Sequence, residues 1–265
     1  MEALELLNQG QLNEAIDAAR EVVKAQPTLV EARELFAELL CLKGELERAD
    51  KQLETIVIQQ PQSAITAVLL RQLIRAEIAR REVWNEGRMP EFVGKPDWTC
   101  RQTLEALIAF REESYAQSLQ LIEEIEEKRQ TIEGVCDGSL FTGFRDMDDL
   151  CLAFFEVLTS TGKYFWIPFS QVESVEFSPA ARPRDLLWRQ CEISVQNGPE
   201  GVVYMPVLYP RTGASDDIAI RMGRKTDWLV EDERPILGLG QRVFGLGDRE
   251  IGIMEIEQLV FKVSE

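Results

Sequence analysis

The sequence predicts a multidomain α and α+β chain: an α-α superhelix of paired helices over residues 1–132, then a mostly antiparallel, β-rich α+β part over 133–265. Three observations predict it. A phrase near the start occurs twice inside helical periodicity. From about Glu133 that spacing gives way to Gly-bounded runs rich in Val, Ile, Phe and Tyr. At 265 residues and 45% apolar side chains, the chain can bury more than one core.

The repeated phrase is Asn8-Gln9-Gly10-Gln11-Leu12-Asn13-Glu14-Ala15, which returns as Leu42-Lys43-Gly44-Glu45-Leu46-Glu47-Arg48-Ala49. Gly10 to Gly44, Ala15 to Ala49 and Pro27 to Pro61 are each 34 residues apart, the length of a two-helix tetratricopeptide (TPR) unit. Each Gly is expected where helix A of a unit turns into helix B, each Ala where the two approach closely, and each Pro where helix B ends. Met1 falls inside the first helix A, so that copy is expected to be short. In the second copy Phe36, Ala37 and Leu40 are expected to pack helix A, and Leu53, Ile56 and Val57 helix B.

Residues 63–83 predict a further helix with Ile65, Val68, Leu69, Leu73 and Ala76 on one face. Residues 84–98 read as an irregular loop held down by Trp84, Phe92 and Trp98. Leu104–Phe110 and Tyr115–Ile132 form another helix pair, with Glu123, Glu124, Glu126 and Glu127 on a solvated face. In the second half Asp146-Met147-Asp148-Asp149 is expected to open a short helix. Residues 155–158 and 164–167 predict one hairpin, residues 191–195 and 202–205 a second, and further strands follow around 242–246 and 250–261.

Composition narrows function. The net charge is −17, shared by both halves, which disfavours nucleic acid or an anionic membrane as partner and suits a basic one. There is no histidine, which removes Ser-His-Asp and Cys-His catalysis and His metal ligation. Five scattered cysteines with no CxxC pair read as reduced, buried thiols of a cytoplasmic protein. No run of about 18 apolar residues could span a bilayer, and the acidic start is unlike a signal peptide. Asp146, Asp148 and Asp149 lack the spacing of a cation loop and read as caps, as do Asp216 and Asp217. Gly238-x-Gly240 and Gly245-x-Gly247 lack the third glycine of a nucleotide loop and read as turns. No cofactor or metal is expected.

Several phrases of the second half occur together: Arg184-Asp185-Leu186-Leu187-Trp188-Arg189, Met205-Pro206-Val207-Leu208-Tyr209-Pro210, Arg221-Met222-Gly223-Arg224-Lys225-Thr226-Asp227-Trp228 and Gly238-Leu239-Gly240-Gln241. With Arg145–Asp149, Trp166-Ile167-Pro168 and Val83–Arg88, the chain closely resembles the ImpE/TagJ/SciE family, accessory proteins of bacterial type VI secretion systems. The resemblance implies a cytoplasmic, non-enzymatic adaptor. It further implies binding of the N-terminal helix of the small subunit of the contractile sheath, with a role in sheath assembly or recycling. It carries no catalytic residues.

In a TPR array helix A lines the concave face, and Glu31, Glu34 and Glu38 share one side of it at helical spacing, followed by Cys41 and Leu42. Leu4, Leu7 and Asn8 would continue that side into the first copy. One reading is an acidic groove with an apolar floor for a basic amphipathic helix; the simpler one is a solvated helix face. Arg184, Asp185, Trp188, Arg189, Arg221, Arg224, Asp227 and Trp228 combine charge with tryptophan, as binding hot spots do. They serve as well to fasten the loops of a small β-rich fold, and that structural reading is favoured. An enzyme with its site between the two halves, or a general TPR chaperone adaptor, are the alternatives.

Overall fold

The computed structural model describes residues 2–262; Met1, expected in the first helix A, and residues 263–265, in the expected β-rich range, lie outside the described residues. Seven helices come first: α1 (Glu2–Asn8), α2 (Leu12–Ala25), α3 (Val30–Lys43), α4 (Leu46–Gln59), α5 (Ile65–Glu86), α6 (Trp98–Arg111) and α7 (Tyr115–Lys128). The TPR-like pairs are α1/α2 and α3/α4. Gly10 and Gly44 end α1 and α3 at φ +83° and +86°, a left-handed turn in which a Cβ is strained. Ala15 and Ala49 are wholly buried where the paired helices meet.

The helix after the second repeat departs from expectation. α5 continues to Glu86 and takes in Trp84, which sequence spacing assigns to a loop. Its buried face carries Ala67, Leu70, Leu73 and Ile74 together with Glu77 and Arg80, while Ile65 and Val68 are exposed. The expected stripe holds at Leu73 and Ala76 and fails at Ile65 and Val68, where apolar spacing misses that two of the inward side chains are charged. The loop that follows α5 is held by main chain as well as by side chains. Glu91 N donates to Tyr164 O and Trp166 N donates to Glu91 O, both at 3.0 Å, so the loop pairs with a strand edge.

The second half contains β1 (Glu133–Cys136), β2 (Ser139–Thr142), β3 (Phe144–Asp146), β4 (Phe154–Leu158), β5 (Tyr164–Pro168), β6 (Val172–Phe177), β7 (Trp188–Val195) and β8 (Glu200–Pro206). The short helix α8 (Ile218–Arg221) precedes β9 (Thr226–Leu229), β10 (Leu237–Gly240), β11 (Val243–Leu246), β12 (Arg249–Gly252) and β13 (Gln258–Phe261). Eight strands form one antiparallel sheet in the order β2-β1-β13-β6-β7-β8-β4-β5; β12-β11-β3 and β10-β9 form two smaller sheets. Both expected hairpins are present, as β4–β5 and β7–β8.

Two local expectations are corrected. Asp146 ends β3 and residues 147–149 form a bend and turn, not a helix. Asp148 N donates to Asp146 Oδ1 and Leu150 N to Asp148 Oδ1, each at 2.9 Å, so the aspartates satisfy their own backbone. Gly238, Gly240 and Gly245 lie in strands, and only Gly247 stands in a turn. Glycine is needed for space at Gly238 and Gly240: a Cβ would stand 2.2 Å from the Tyr209 ring and 2.0 Å from Lys225 O, respectively.

The main sheet buries both faces. On β4, Phe154 and Leu158 point towards the helices and join Trp166, Trp188 and Tyr204 in one core shared with α1–α7. Phe155 and Val157 point the other way, into a second core with Phe144, Phe169, Phe244 and Leu259. All five cysteines are free and buried.

Candidate functional site

The seam between helices and sheet is built on buried charge. Glu156 stands at the centre of β4 on the helical side, 2% exposed. Arg80 of α5 meets it with two parallel hydrogen bonds, Nε to Oε1 at 2.8 Å and Nη2 to Oε2 at 2.9 Å. Arg242, from the connection between β10 and β11, donates to the same carboxylate and to Asp146 Oδ2. Trp84 Nε1 and Tyr164 Oη complete the shell, and Tyr209 Oη donates to Asp146 Oδ1 at 3.0 Å. Burial alone would raise the Glu156 pKa, but the two guanidinium groups and their hydrogen bonds hold it down at about 2. Two buried cations therefore share two buried anions, with every carboxylate oxygen accepting at least one hydrogen bond. The sequence does carry a signal for this. Glu156 is a lone charge inside the apolar run Phe154-Phe155-Glu156-Val157-Leu158, and only a buried partner makes that tolerable.

The predicted groove is part of the same seam. Glu34, Glu38, Cys41 and Leu42 are 6%, 1%, 2% and 4% exposed, because the segment before β7 covers this side of α3. Arg182 Nη2 donates to Glu34 Oε2 at 3.1 Å, and its Nε lies 3.0 Å from Glu38 Oε1. The expected open acidic groove is thus closed. A basic side chain does lie in it, but one from the same chain. Burial, opposed only in part by Arg182 and Arg184, pushes Glu38 up to about 7. Leu7 is also buried, whereas Leu4, Asn8 and Glu31 remain exposed.

Two of the openings near these elements bear on the groove reading. The first is a groove of about 330 Å³ between α1, α2 and α3, lined by Ala3, Ala18, Val22, Leu29, Ala32 and Leu35 with Glu2 and Glu31 at its rim. Among the described residues α1 has 7 residues against 14 in α3, and none of them lies as a helix A along the last turns of α2. The second is a polar cleft of about 380 Å³ between α3, α5 and the connection from β8 to α8. Asp148, which burial and the neighbouring Asp146 push up to about 7, lines neither opening, and nor does Glu38. Among the described residues no group of three or more acidic or thiol side chains could hold a metal ion, and no helix is long and apolar enough to cross a membrane.

Comparison with known proteins agrees with this architecture. A tetratricopeptide repeat model matches residues 6–73, and the ImpE protein model matches residues 138–260. The chain is 30% identical over 267 aligned positions to the type VI secretion system accessory component TagJ of Pseudomonas aeruginosa, covering 100% of this chain and 92% of that protein. The chain belongs to the ImpE/TagJ family. Its fold is similar to the crystal structure of protein VPA1032 from Vibrio parahaemolyticus, with a TM-score of 0.90 and 28% identity over 100% of this chain and 98% of that one.

Some of the ImpE/TagJ phrases lie where the two halves meet. Arg221 Nη2 donates to Lys43 O at the end of α3 (3.2 Å), and Arg224 Nη2 to Leu7 O at the end of α1 (2.6 Å). Lys43 O is one of the carbonyls that a helix end leaves without an intrahelical partner, whereas Leu7 O also accepts from Gly10 N at 2.9 Å. Trp188 Nε1 donates to Glu77 of α5 at 3.3 Å. Asp185 Oδ2 accepts from Ala181 N and Arg182 N at 2.8 Å, shaping the turn that carries Arg182, and Arg184 lies 3.7 Å from Asp185 Oδ1. Arg189 donates to Ser178 O and Ile253 O, Asp227 accepts from Trp228 N, and the Trp228 ring packs on Tyr209.

Proposed function

We propose that this chain is a cytoplasmic, non-enzymatic adaptor of a type VI secretion system. In this reading it holds the N-terminal helix of the small sheath subunit and so modulates sheath assembly or recycling. The observation that supports it is the groove at the first repeat. Among the described residues no helix covers the apolar side chains of Ala18, Val22, Ala32 and Leu35, with Glu31 at the rim. An amphipathic helix of two or more turns would lie there along α2 and α3, its apolar face inward. Its basic residues, if it has them, would meet Glu2 and Glu31. The likeness to the accessory component TagJ supports a partner within the secretion apparatus.

Titration calorimetry of the full chain with the sheath subunit's N-terminal peptide tests this. Val22→Glu and Leu29→Glu change half-exposed side chains of the groove and are expected to weaken binding at least about tenfold, a loss of roughly 1.4 kcal/mol. Glu31→Lys is expected to weaken a basic peptide less. A peptide that does not bind the wild-type chain at high micromolar concentration would sink the proposal, and unchanged affinity in both glutamate variants would move the site elsewhere.

A further inference from the structure

The cleft between the halves has the construction of a ligand site. One wall is the end of α3, Lys43 and Gly44; the other is the β8–α8 connection from Leu208 to Gly213. The floor is α5 with Glu77, Arg81 and Asn85, backed by the buried rings of Trp188 and Tyr209. A volume of about 380 Å³ at a junction of two structural units is in the range of small-molecule and peptide-end sites.

Its charge is opposite to that of the protein. Lys43, Arg80, Arg81 and Arg221 line it against a single carboxylate, Glu77, in a chain of net charge −17. Glu77 is already engaged, by Arg81 at 3.2 Å, Arg80 at 3.5 Å and the Trp188 indole at 3.3 Å. Arg80 is taken up by Glu156, and Lys43 lies 3.4 Å from Glu45. Arg221 is different. It donates to Lys43 O, and among the described residues no carboxylate lies within ion-pair distance of it. A half-buried guanidinium with unused donors attracts an anion.

We propose that this cleft binds a carboxylate-bearing ligand, its carboxylate on Arg221 and its aliphatic part against Leu46, Leu187 and Leu208. With Lys43 paired to Glu45, Arg80 to Glu156 and Arg81 to Glu77, the one guanidinium left over matches a monoanionic carboxylate better than a phosphate dianion. A free peptide C-terminus, an acidic side chain and a small dicarboxylate share this chemistry. The site is separate from the groove at the first repeat, and its test does not depend on the sheath peptide.

The experiment is an NMR titration of the full chain, reading the amides of Gly44 and Gly213 and the indole N–H of Trp188. Three probes separate the sources: a neutral peptide with a free C-terminus, a glutamate peptide capped at both ends, and glutarate; inorganic phosphate is the fourth. At least one carboxylate is expected to shift all three signals saturably, with phosphate weaker. Arg221→Ala is expected to cost about tenfold in affinity or more, and Arg221→Lys less. Because Arg221 also caps α3, a second variant guards the test. Gly213→Trp fills the mouth from an exposed position whose Cβ meets nothing within 4 Å, and it is expected to abolish the shifts of the Gly44 amide and the Trp188 indole without lowering the unfolding midpoint. The proposal is overturned if no carboxylate binds by about 10 mM, if phosphate binds more tightly, or if the shifts persist in both Arg221→Ala and Gly213→Trp.

Discussion

Single side chains decide how the halves hold together, and Glu156 is the one with the most at stake. Glu156→Gln removes the charge that Arg80 and Arg242 share while keeping the shape, leaving Arg242 with Asp146 and Arg80 with Glu77 as their remaining carboxylates. Urea denaturation is expected to show a loss of about 3–5 kcal/mol, as when one partner of a buried ion pair is removed. Tyr164→Phe, which deletes one hydroxyl from the same shell, should cost only about 1–2 kcal/mol. Equal losses would mean that shape, not charge, dominates the seam. Glu38 gives a pH signature. Its folded pKa of about 7 lies above the ordinary glutamate value of 4.5, so the native state keeps a proton that the unfolded chain releases. Stability from this group therefore falls as pH rises from about 4.5 to about 7. Arg182 and Arg184 oppose the shift, while Asp185 and Glu34 reinforce it. Glu38→Gln is expected to flatten the decline in denaturation midpoint across that interval; an unchanged slope would refute the assignment.

Elements show how far local propensity reaches. α1 has 7 residues, too few to be stable alone, and Arg224 holds its last turn through Leu7 O. Arg224→Ala is expected to raise amide exchange across residues 2–10 and to leave β4–β8 unchanged. It should also weaken any helix held in the neighbouring groove, because Ala3 of α1 lines it. Repeat spacing and hairpin signals are legible in the sequence: Gly10 and Gly44 turn as the 34-residue offset predicts, and β4–β5 and β7–β8 pair as their alternation predicts. α5 is less legible, because Glu77 and Arg80 face inward and a stripe of apolar residues does not include them. At Gly238 and Gly240 local reading suggests turns, but Tyr209 and Lys225, distant in sequence, are what leave no room for a side chain.

Across the whole molecule, helices and sheet share one core. Leu150–Phe154, Trp166 and Trp188 pack in the same cluster as the side chains of α1–α7. Arg211 over Phe110 and Arg234 over Tyr115 add cation–π contacts between the halves. Unfolding is therefore expected to be one transition, with far-UV circular dichroism and tryptophan fluorescence coinciding. Two separated transitions would show that the halves stand independently. The repeat, the strands, the acidic and histidine-free character and the family phrases can all be read before folding, because each is written in neighbouring residues or in composition. The candidate groove could not be read that way. It takes the folded chain to bring Arg182 onto Glu34, 148 residues away, and Arg80 onto Glu156 across 76 residues. Helical periodicity states which side of a helix a carboxylate occupies. Whether water or a distant arginine lies against that side depends on how the rest of the chain folds back.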